Sequence, residues 1–563
     1  MRISIAILFV TVASPALANE PLTFERDVRP IFRAHCFDCH GATKELKGEL
    51  DLRLVRFLTR GGKHGAAIVR GASAKSRLIE RIRRGEMPPG DAKVPAEELA
   101  ILERWIDAGA KTARPEPESI EPGVGVSTEE RDFWSFRPIE RRSPPLSLTI
   151  SNSAIDAWIR HAMPKNVSFA READRPALFT RVALDLTGLP PSYKEISAFV
   201  EDKNEYAYER VVHRLLDSPH FGERWARHWL DVAGYADSEG GSPSDATRAW
   251  AYRYRDWVVR AFNSDMPFDR FVLEQLAGDE LAGEKYGDWT AEQVDLLTAT
   301  GFLRLAADPT GSGPNDAATR ERVIADTLGI VGTSLLGMSV ACAQCHDHRY
   351  DPIPHSDYFA LRAIFDPALD RQTWKTPNAR RVSLLTQAQR AQSAEIETEA
   401  KKIATERAQK QAEYLKAAFE KELEKLATAS RPKIRAAFDT PAGKRTAEQK
   451  KLVDSNPQLR ISPGVLTQFN PSAANKLKKY DSRIKSLRAK KPTEQFLRAL
   501  VEPAKHQPKT HRLHRGDHRQ PREVVRPAVP RVLVRPGGER SIALDDSSFP
   551  TSRRRVALAR WMT

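Results

Sequence analysis

Apolar side chains recur at helical spacing along most of the chain. Phe24, Val28, Ile31 and Phe32 stand at i, i+4, i+7 and i+8, one face of a helix. Leu99, Leu102, Trp105 and Ile106 form a second such face. Pro95 opens that helix, Glu97 and Glu98 suit the positive end of its dipole, and Gly109 is placed to end it. From Ile155 to about Pro367 helical signals dominate. Leu178, Val182, Leu184 and Leu186 lead into the turn Gly188-Leu189-Pro190-Pro191, and Ser192 with Glu195 spells a capping box. Val211, Val212, Leu215 and Leu216 give a further apolar face before Ser218-Pro219. Residues 386–428 hold neither Gly nor Pro, and their apolar positions (Ile396, Ile403, Leu415, Phe419, Leu423, Leu426) are sparse. That pattern predicts a long, largely solvated helix or helical hairpin, an ordinary charged arm rather than a dimerisation coil. Residues 503–540 are rich in Arg, His and Pro, with short β segments expected at places such as Arg531–Val534. The expected fold is therefore mainly α.

The first residues change the picture. Met1-Arg2, an apolar core over residues 3–12 and Ala16-Leu17-Ala18 read as a secretory signal peptide cut after Ala18. The core is too short for a membrane anchor and Pro15 breaks it. No other apolar run nears membrane length, which excludes a multi-span membrane protein. The 563 residues carry a net charge of +15. Residues 501–563 hold 14 basic and 6 acidic side chains, so +8 of that excess lies at the C-terminal end. Export makes nucleic-acid binding a poor reading of the charge. An acidic redox partner protein, or an anionic polymer of the cell envelope, suits it better.

Four cysteines are too few for a disulfide scaffold, and their placement carries the chemistry. They form two copies of one pattern: Cys36-Phe37-Asp38-Cys39-His40 and Cys342-Ala343-Gln344-Cys345-His346. C-x-x-C-H is the attachment pattern for haem c. Two thiols on one turn reach the vinyl groups on one edge of a porphyrin, and the following His lies under the iron. A dithiol, a small disulfide or a zinc site shared by both pairs are the alternatives, and none of them asks for a His after the second Cys, twice. Haem c is expected at both motifs, with His40 and His346 as axial ligands.

A sixth ligand must come from a loop facing the first haem. Met87, in Gly85-Glu86-Met87-Pro88-Pro89-Gly90, is the candidate, with His35 and His64 as weaker ones. His/Met ligation favours electron transfer over oxygen chemistry. On the distal side of the second haem His228, in a Trp-flanked helix, leads His220, Met338 and His355. An open distal side would instead permit ligand or peroxide chemistry. Asp231, Asp237, Asp279, Asp347 and Asp351 also gather near these phrases, without ligand spacing, and read as structural or capping residues.

Residues 24–32, the Cys36–Gly41 motif, Gly71-Ala72-Ser73-Ala74-Lys75-Ser76-Arg77-Leu78-Ile79, Met87–Gly90 and Arg104-Trp105-Ile106-Asp107-Ala108-Gly109-Ala110 together resemble the planctomycete-type cytochrome c domain. The resemblance implies a small, class I-like helical fold with Cys36, Cys39, His40 and Met87 in the usual roles. Further on, Leu184–Pro191, Glu223–Asp231, Phe262–Asp269 and Cys342–Ile353 resemble the uncharacterised helical domain that accompanies such cytochromes. That likeness implies an architecture rather than a reaction, and Gly234 stands where it would lead one to expect Arg. Residues 553–563 resemble the start of a further associated domain, so the chain reads as cut short.

The expected organisation is a signal peptide (1–18), a cytochrome c domain (20–110), a linker (111–130) and a larger all-α domain with the second CxxCH (131–367). A long charged helical region (368–500) and a basic Pro/Arg-rich, partly β segment running into a truncated domain (501–563) complete it. The expected function is one-electron transfer by an exported, periplasmic or envelope c-type cytochrome. A haem-dependent oxidoreductase acting on a small molecule or carbohydrate is the first alternative. An envelope-binding scaffold with a structural haem is the second.

Overall fold

The computed structural model describes residues 21–41, 46–116, 128–145, 153–240, 245–283, 288–535, 538–542 and 549–563. The expected signal peptide and residues 117–127 of the expected linker lie outside them. The fold is mainly α, with β structure among the described residues confined to two-stranded ladders. No described helix is long and apolar enough to cross a membrane. The chain divides into two compact units, one of residues 1–284, 292–381 and 497–563, the other of residues 285–291 and 382–496.

The first unit opens with a helical run from Phe24 to His35. A wide π turn, Phe24–Val28, leads into α1, Arg29–His35. Pro30 sits in its first turn, where a missing N–H costs nothing. The Cys36 N–H still donates to the Phe32 carbonyl (2.8 Å), after which the chain turns into the single-turn α2, Phe37–His40. Helices α3 (Val55–Arg60), α4 (Arg77–Arg83) and α5 (Ala96–Asp107) follow. The two predicted faces meet: Phe24, Val28, Ile31 and Phe32 are buried in one core with Leu102, Trp105 and Ile106. The Phe24 and Trp105 rings lie 5.9 Å apart, and the Phe24 N–H and Trp105 indole N–H both donate to the Lys111 carbonyl at 2.9 Å. Each large side chain so buried contributes about 1.5–3 kcal/mol, which is what holds so small a domain together.

The larger helical region comprises α6 (Arg175–Thr187), α7 (Tyr193–Glu201), α8 (Ala207–Leu216), α9 (Pro219–Val232), α10 (Tyr252–Asn263), α11 (Phe268–Ala282), α12 (Ala317–Leu335) and α13 (His355–Leu369). The capping box forms as read, the Glu195 N–H donating to Ser192 Oγ and the Ser192 N–H to the Glu195 carboxylate. Helices α6 to α8 share a small core of Phe179, Ala183, Phe199 and Val211. Helices α9 to α13 share the large one, in which Trp229 meets Phe271 edge-on at 5.0 Å and Trp257 stacks on it at 5.3 Å. Gly222 allows α9 to lie against α10, since a β-carbon there would stand 2.5 Å from the Val259 carbonyl oxygen.

The C-terminal segment closes onto the same core. Strands β1 (Thr510–Leu513) and β2 (Pro521–Val525) pair antiparallel, Thr510 opposite Val525 and His511 opposite Val524. Leu513, Val529, Val532 and Leu558 are buried among α9 to α13. Arg555, in the terminal helix Arg554–Met562, has no exposed side-chain surface and bonds both oxygens of Asp279 (2.7 and 2.8 Å), with Glu280 and Glu502 beside it. The β segment expected at Arg531–Val534 is instead a short 3₁₀ turn, Arg531–Leu533. Pro530 precedes it, and the Arg531 N–H and guanidinium are both held by buried Asp357, so no ladder partner is needed.

In the second unit α14, Gln387–Leu423, is one unbroken helix of 37 residues, about 55 Å long at the usual rise per residue. Thr386 and Gln389 cap it reciprocally. Only Ala400, Ile403, Ala418 and Leu423 are buried along it, in keeping with the predicted solvated helix. Charged pairs tie it to α15 (Pro471–Arg488): Glu397 to Arg488 at 2.7 Å and Asp481 to Arg407 at 2.6 Å.

Candidate haem sites

The end of α1, the α2 turn, α4 and the loops of residues 47–52, 62–67, 87–89 and 514–515 line a cavity of about 490 Å³. Cys36, Cys39, His40 and Met87 all line it. Local backbone chemistry places each of them. The Cys39 and His40 N–H groups both donate to the Cys36 carbonyl (3.2 and 2.9 Å), which curls the motif into one turn. The His40 carbonyl accepts from the Leu52 N–H (2.9 Å) and His40 Nδ1 lies 3.3 Å from the Leu50 carbonyl. With Nδ1 as the donor, Nε2 is the nitrogen left for a metal. Burial holds the His40 pKa below its ordinary value, which favours the neutral, ligating imidazole.

The Met87 loop, which lines the same cavity, is pinned from both sides. The Met87 N–H donates to the Arg81 carbonyl (3.3 Å), and Lys93 Nζ donates to the carbonyls of Gly85 (2.8 Å) and Pro88 (2.9 Å). Leu50, Leu52, Ala67, Leu78, Ile82 and Pro88 supply apolar walls. All four cysteines are free thiols. Burial, with Cys39 beside it, pushes the Cys36 thiol up to about 12. Two thiols on one turn, an imidazole nitrogen, a thioether and an apolar lining are the donor set and solvent a covalently attached haem requires.

The weaker first-site candidates, His35 and His64, line the same cavity. His35 Nε2 bonds the Glu98 carboxylate at 2.8 Å, at the edge of the cavity. His64 is exposed in the Gly62–Gly65 loop, where its carbonyl accepts from Arg77.

The second motif follows α12 and is the 3₁₀ turn Val340–Gln344 continued through His346. Val340 and Ala343 point into the core, while Cys342 and Cys345 are exposed. His346 Nδ1 lies 2.6 Å from the Asp347 carbonyl, so its Nε2 is again the nitrogen left over. Two exposed thiols and this imidazole fit the attachment pattern of a haem. His348 is committed elsewhere: its Nδ1 accepts from the Tyr350 and Asp351 N–H groups (3.2 and 2.7 Å) and its Nε2 donates to Ser339 Oγ (2.9 Å). His355 Nε2 donates to the Gln344 carbonyl (2.9 Å). Met338 is buried in the large core. His228 is exposed on α9 with its ring edge-on to Trp225 at 5.4 Å, and His220 bonds Glu223 at 2.7 Å. Ser339, His348, Asp351 and His355 stand beside the second motif.

The acidic residues do not converge. Asp231 pairs with Arg227 on the surface, Asp237 accepts from the Tyr235 hydroxyl, and Asp279 holds Arg555. Among the described residues no three His, Cys, Asp or Glu side chains gather as a metal site.

Sequence reasoning missed what joins the two motifs. Glu98, assigned to the helix dipole, is buried and bonds His35 on one side and Arg349 on the other. Arg33 donates to the carbonyls of Tyr350 (3.3 Å) and Asp351 (3.2 Å). The helix that carries the first CxxCH is thereby docked on the loop that follows the second. His514 and Arg515, from the C-terminal segment, complete the wall of the first cavity. No local signal marks either of them.

No curated protein and no solved structure matches the chain. Two family models do, in the order read from the sequence. Residues 154–370, which include the second CxxCH, match the family described as a protein of unknown function, DUF1549. Residues 36–91, which run from the first CxxCH through Met87, match Planctomycete cytochrome C, and this region is accordingly a cytochrome c domain, the kind that binds haem c covalently.

Proposed function

We propose that this protein is an exported c-type cytochrome that performs one-electron transfer, with one haem at Cys36, Cys39 and His40 and a second at Cys342, Cys345 and His346. The observation that carries the reading is the convergence of Cys36, Cys39, His40 and Met87 on one cavity. When bound, haem c supplies the Fe(III)/Fe(II) couple. The chain's own residues do the rest. His40 presents Nε2 because Leu50 holds Nδ1, Met87 presents a thioether because Arg81 and Lys93 hold its loop, and the apolar wall keeps water out. His40 and Met87 would both hold the iron of a bound haem, which would leave no place for oxygen and would make the first site one that carries electrons rather than one that activates a ligand. The net charge of +15 suits an acidic redox partner or an anionic envelope polymer, at a periplasmic or envelope location.

A second reading, a haem-dependent oxidoreductase acting on a small molecule or carbohydrate, draws support from the second motif. It is exposed, and both nearby histidines spend their ring nitrogens on other partners. That arrangement suits an open coordination position.

The test is haem stoichiometry. The chain is co-expressed with a cytochrome c maturation system, and intact mass and a pyridine haemochrome spectrum are compared with those of Cys36→Ala/Cys39→Ala and Cys342→Ala/Cys345→Ala. Two haems, one lost in each variant, are expected. A haem lost only with Cys36 and Cys39 overturns the second site. Absence of covalent haem overturns the reading altogether. Cyanide or carbon monoxide binding to the haem that remains in Cys36→Ala/Cys39→Ala decides for the oxidoreductase.

A further inference from the structure

The loop between β1 and β2 has a conformation that its sequence does not favour. Arg515 lies in the left-handed region (φ 49°, ψ 35°), followed by Gly516 at φ 73°. A non-glycine residue adopts this conformation only at a cost, so the surroundings must impose it. They do. The His514 N–H donates to the Gln520 carbonyl (3.0 Å), the Asp517 N–H to the His514 carbonyl (2.9 Å), and Asp517 also holds Arg519 and Gln520. On its other side the loop rests on Cys345 through Gly516.

The product of this strain is the position of one cation. Arg515 lines the first cavity together with Cys36, and its charge acts on the Cys36 thiol against the effect of burial. It is half-buried. Among the described residues its side chain has no hydrogen-bonded or ion-paired partner, and Asp38, which also lines the cavity, forms no ion pair with it. The other arginines of the wall are engaged: Arg81 pairs with Glu86 at 3.0 Å and Arg77 donates to the His64 carbonyl. Lys47 is exposed and therefore screened.

We infer that Arg515 is a positioning residue of the first haem site, a fixed positive charge supplied from more than 400 positions downstream that sets the reduction potential there. This rests on the cytochrome reading above. Ferric iron carries one more positive charge than ferrous iron, so an unpaired guanidinium on the cavity wall disfavours the oxidised form and raises the potential.

The experiment uses the full haem-loaded chain. Arg515→Asn removes the charge and keeps a residue that accepts the left-handed backbone, while Arg515→Lys keeps the charge. Midpoint potentials are read by spectroelectrochemistry for the centre that persists in Cys342→Ala/Cys345→Ala, with covalent haem counted first in every variant. Arg515→Asn is expected to shift the Fe(III)/Fe(II) equilibrium about threefold to tenfold toward ferric, the upper end corresponding to about 59 mV for one electron. Arg515→Lys is expected to stay near the parent. An unchanged potential in Arg515→Asn, or an equal shift in both variants, overturns the inference while leaving the cytochrome reading intact. Absence of covalent haem at Cys36 and Cys39 in the parent removes both.

Discussion

Gly516 lies directly on Cys345: a β-carbon at position 516 would stand 2.8 Å from the Cys345 sulfur. Two costs fall on Gly516→Ala, the left-handed backbone and this collision. The expected loss is about 1–2 kcal/mol, read from chemical unfolding. Cys345→Ala removes the atom that collides. The double variant should therefore lose less than the sum of the single changes, by at least about 0.5 kcal/mol. Strict additivity would show that the contact has no energetic weight.

Met87 faces the cavity from a loop held by Arg81 and Lys93, with His40 on the α2 turn. Met87→Ala should leave covalent attachment intact and remove one axial group. The expected signs are a high-spin absorption component, new carbon monoxide or cyanide binding, and a lower reduction potential. A spectrum like the parent's would place the sixth ligand elsewhere.

Glu98 is buried between His35 and Arg349. Glu98→Gln keeps the shape and removes the charge that both partners need, a loss of about 1–3 kcal/mol. Hydrogen exchange should quicken in α5 and in residues 346–351 together. Faster exchange in α5 alone would mean that Glu98 matters to its own domain and not to the docking.

Buried Glu280 faces Arg555, Asp279 and Glu502. Burial first, and the two neighbouring carboxylates, outweigh the attraction of Arg555 and raise its carboxyl to about 7. A carboxyl raised above its unfolded value is protonated in the fold at pH values where the unfolded chain has already lost the proton. Stability from this group is thus present in acid and lost as pH rises from the unfolded value toward about 7. Glu280→Gln should flatten that slope in unfolding followed by tryptophan fluorescence. An equally steep slope in the variant would sink the assignment.

The parts legible in the sequence were those set by local spacing. Phe24, Val28, Ile31 and Phe32 meet Leu102, Trp105 and Ile106 because period alone puts each set on one helix face. The Ser192–Glu195 cap and the unbroken α14 followed from local chemistry in the same way. Arg531–Val534 misled because β-prone residues yielded to a long-range bond with Asp357. Glu98 and Arg515 were invisible for a related reason. Each acts on a partner more than 200 positions away, and nothing in the flanking residues distinguishes a helix-dipole glutamate or a loop arginine from one that joins two regions.

The cavity wall also has a history in time. Its cysteines come early in the chain and its last two residues, His514 and Arg515, come late. At ~5–20 residues per second of synthesis, Arg515 is made roughly half a minute to a minute and a half after His40. Until then the wall of the first cavity lacks these two residues. The first cavity is thus complete only once the C-terminal segment has folded against it.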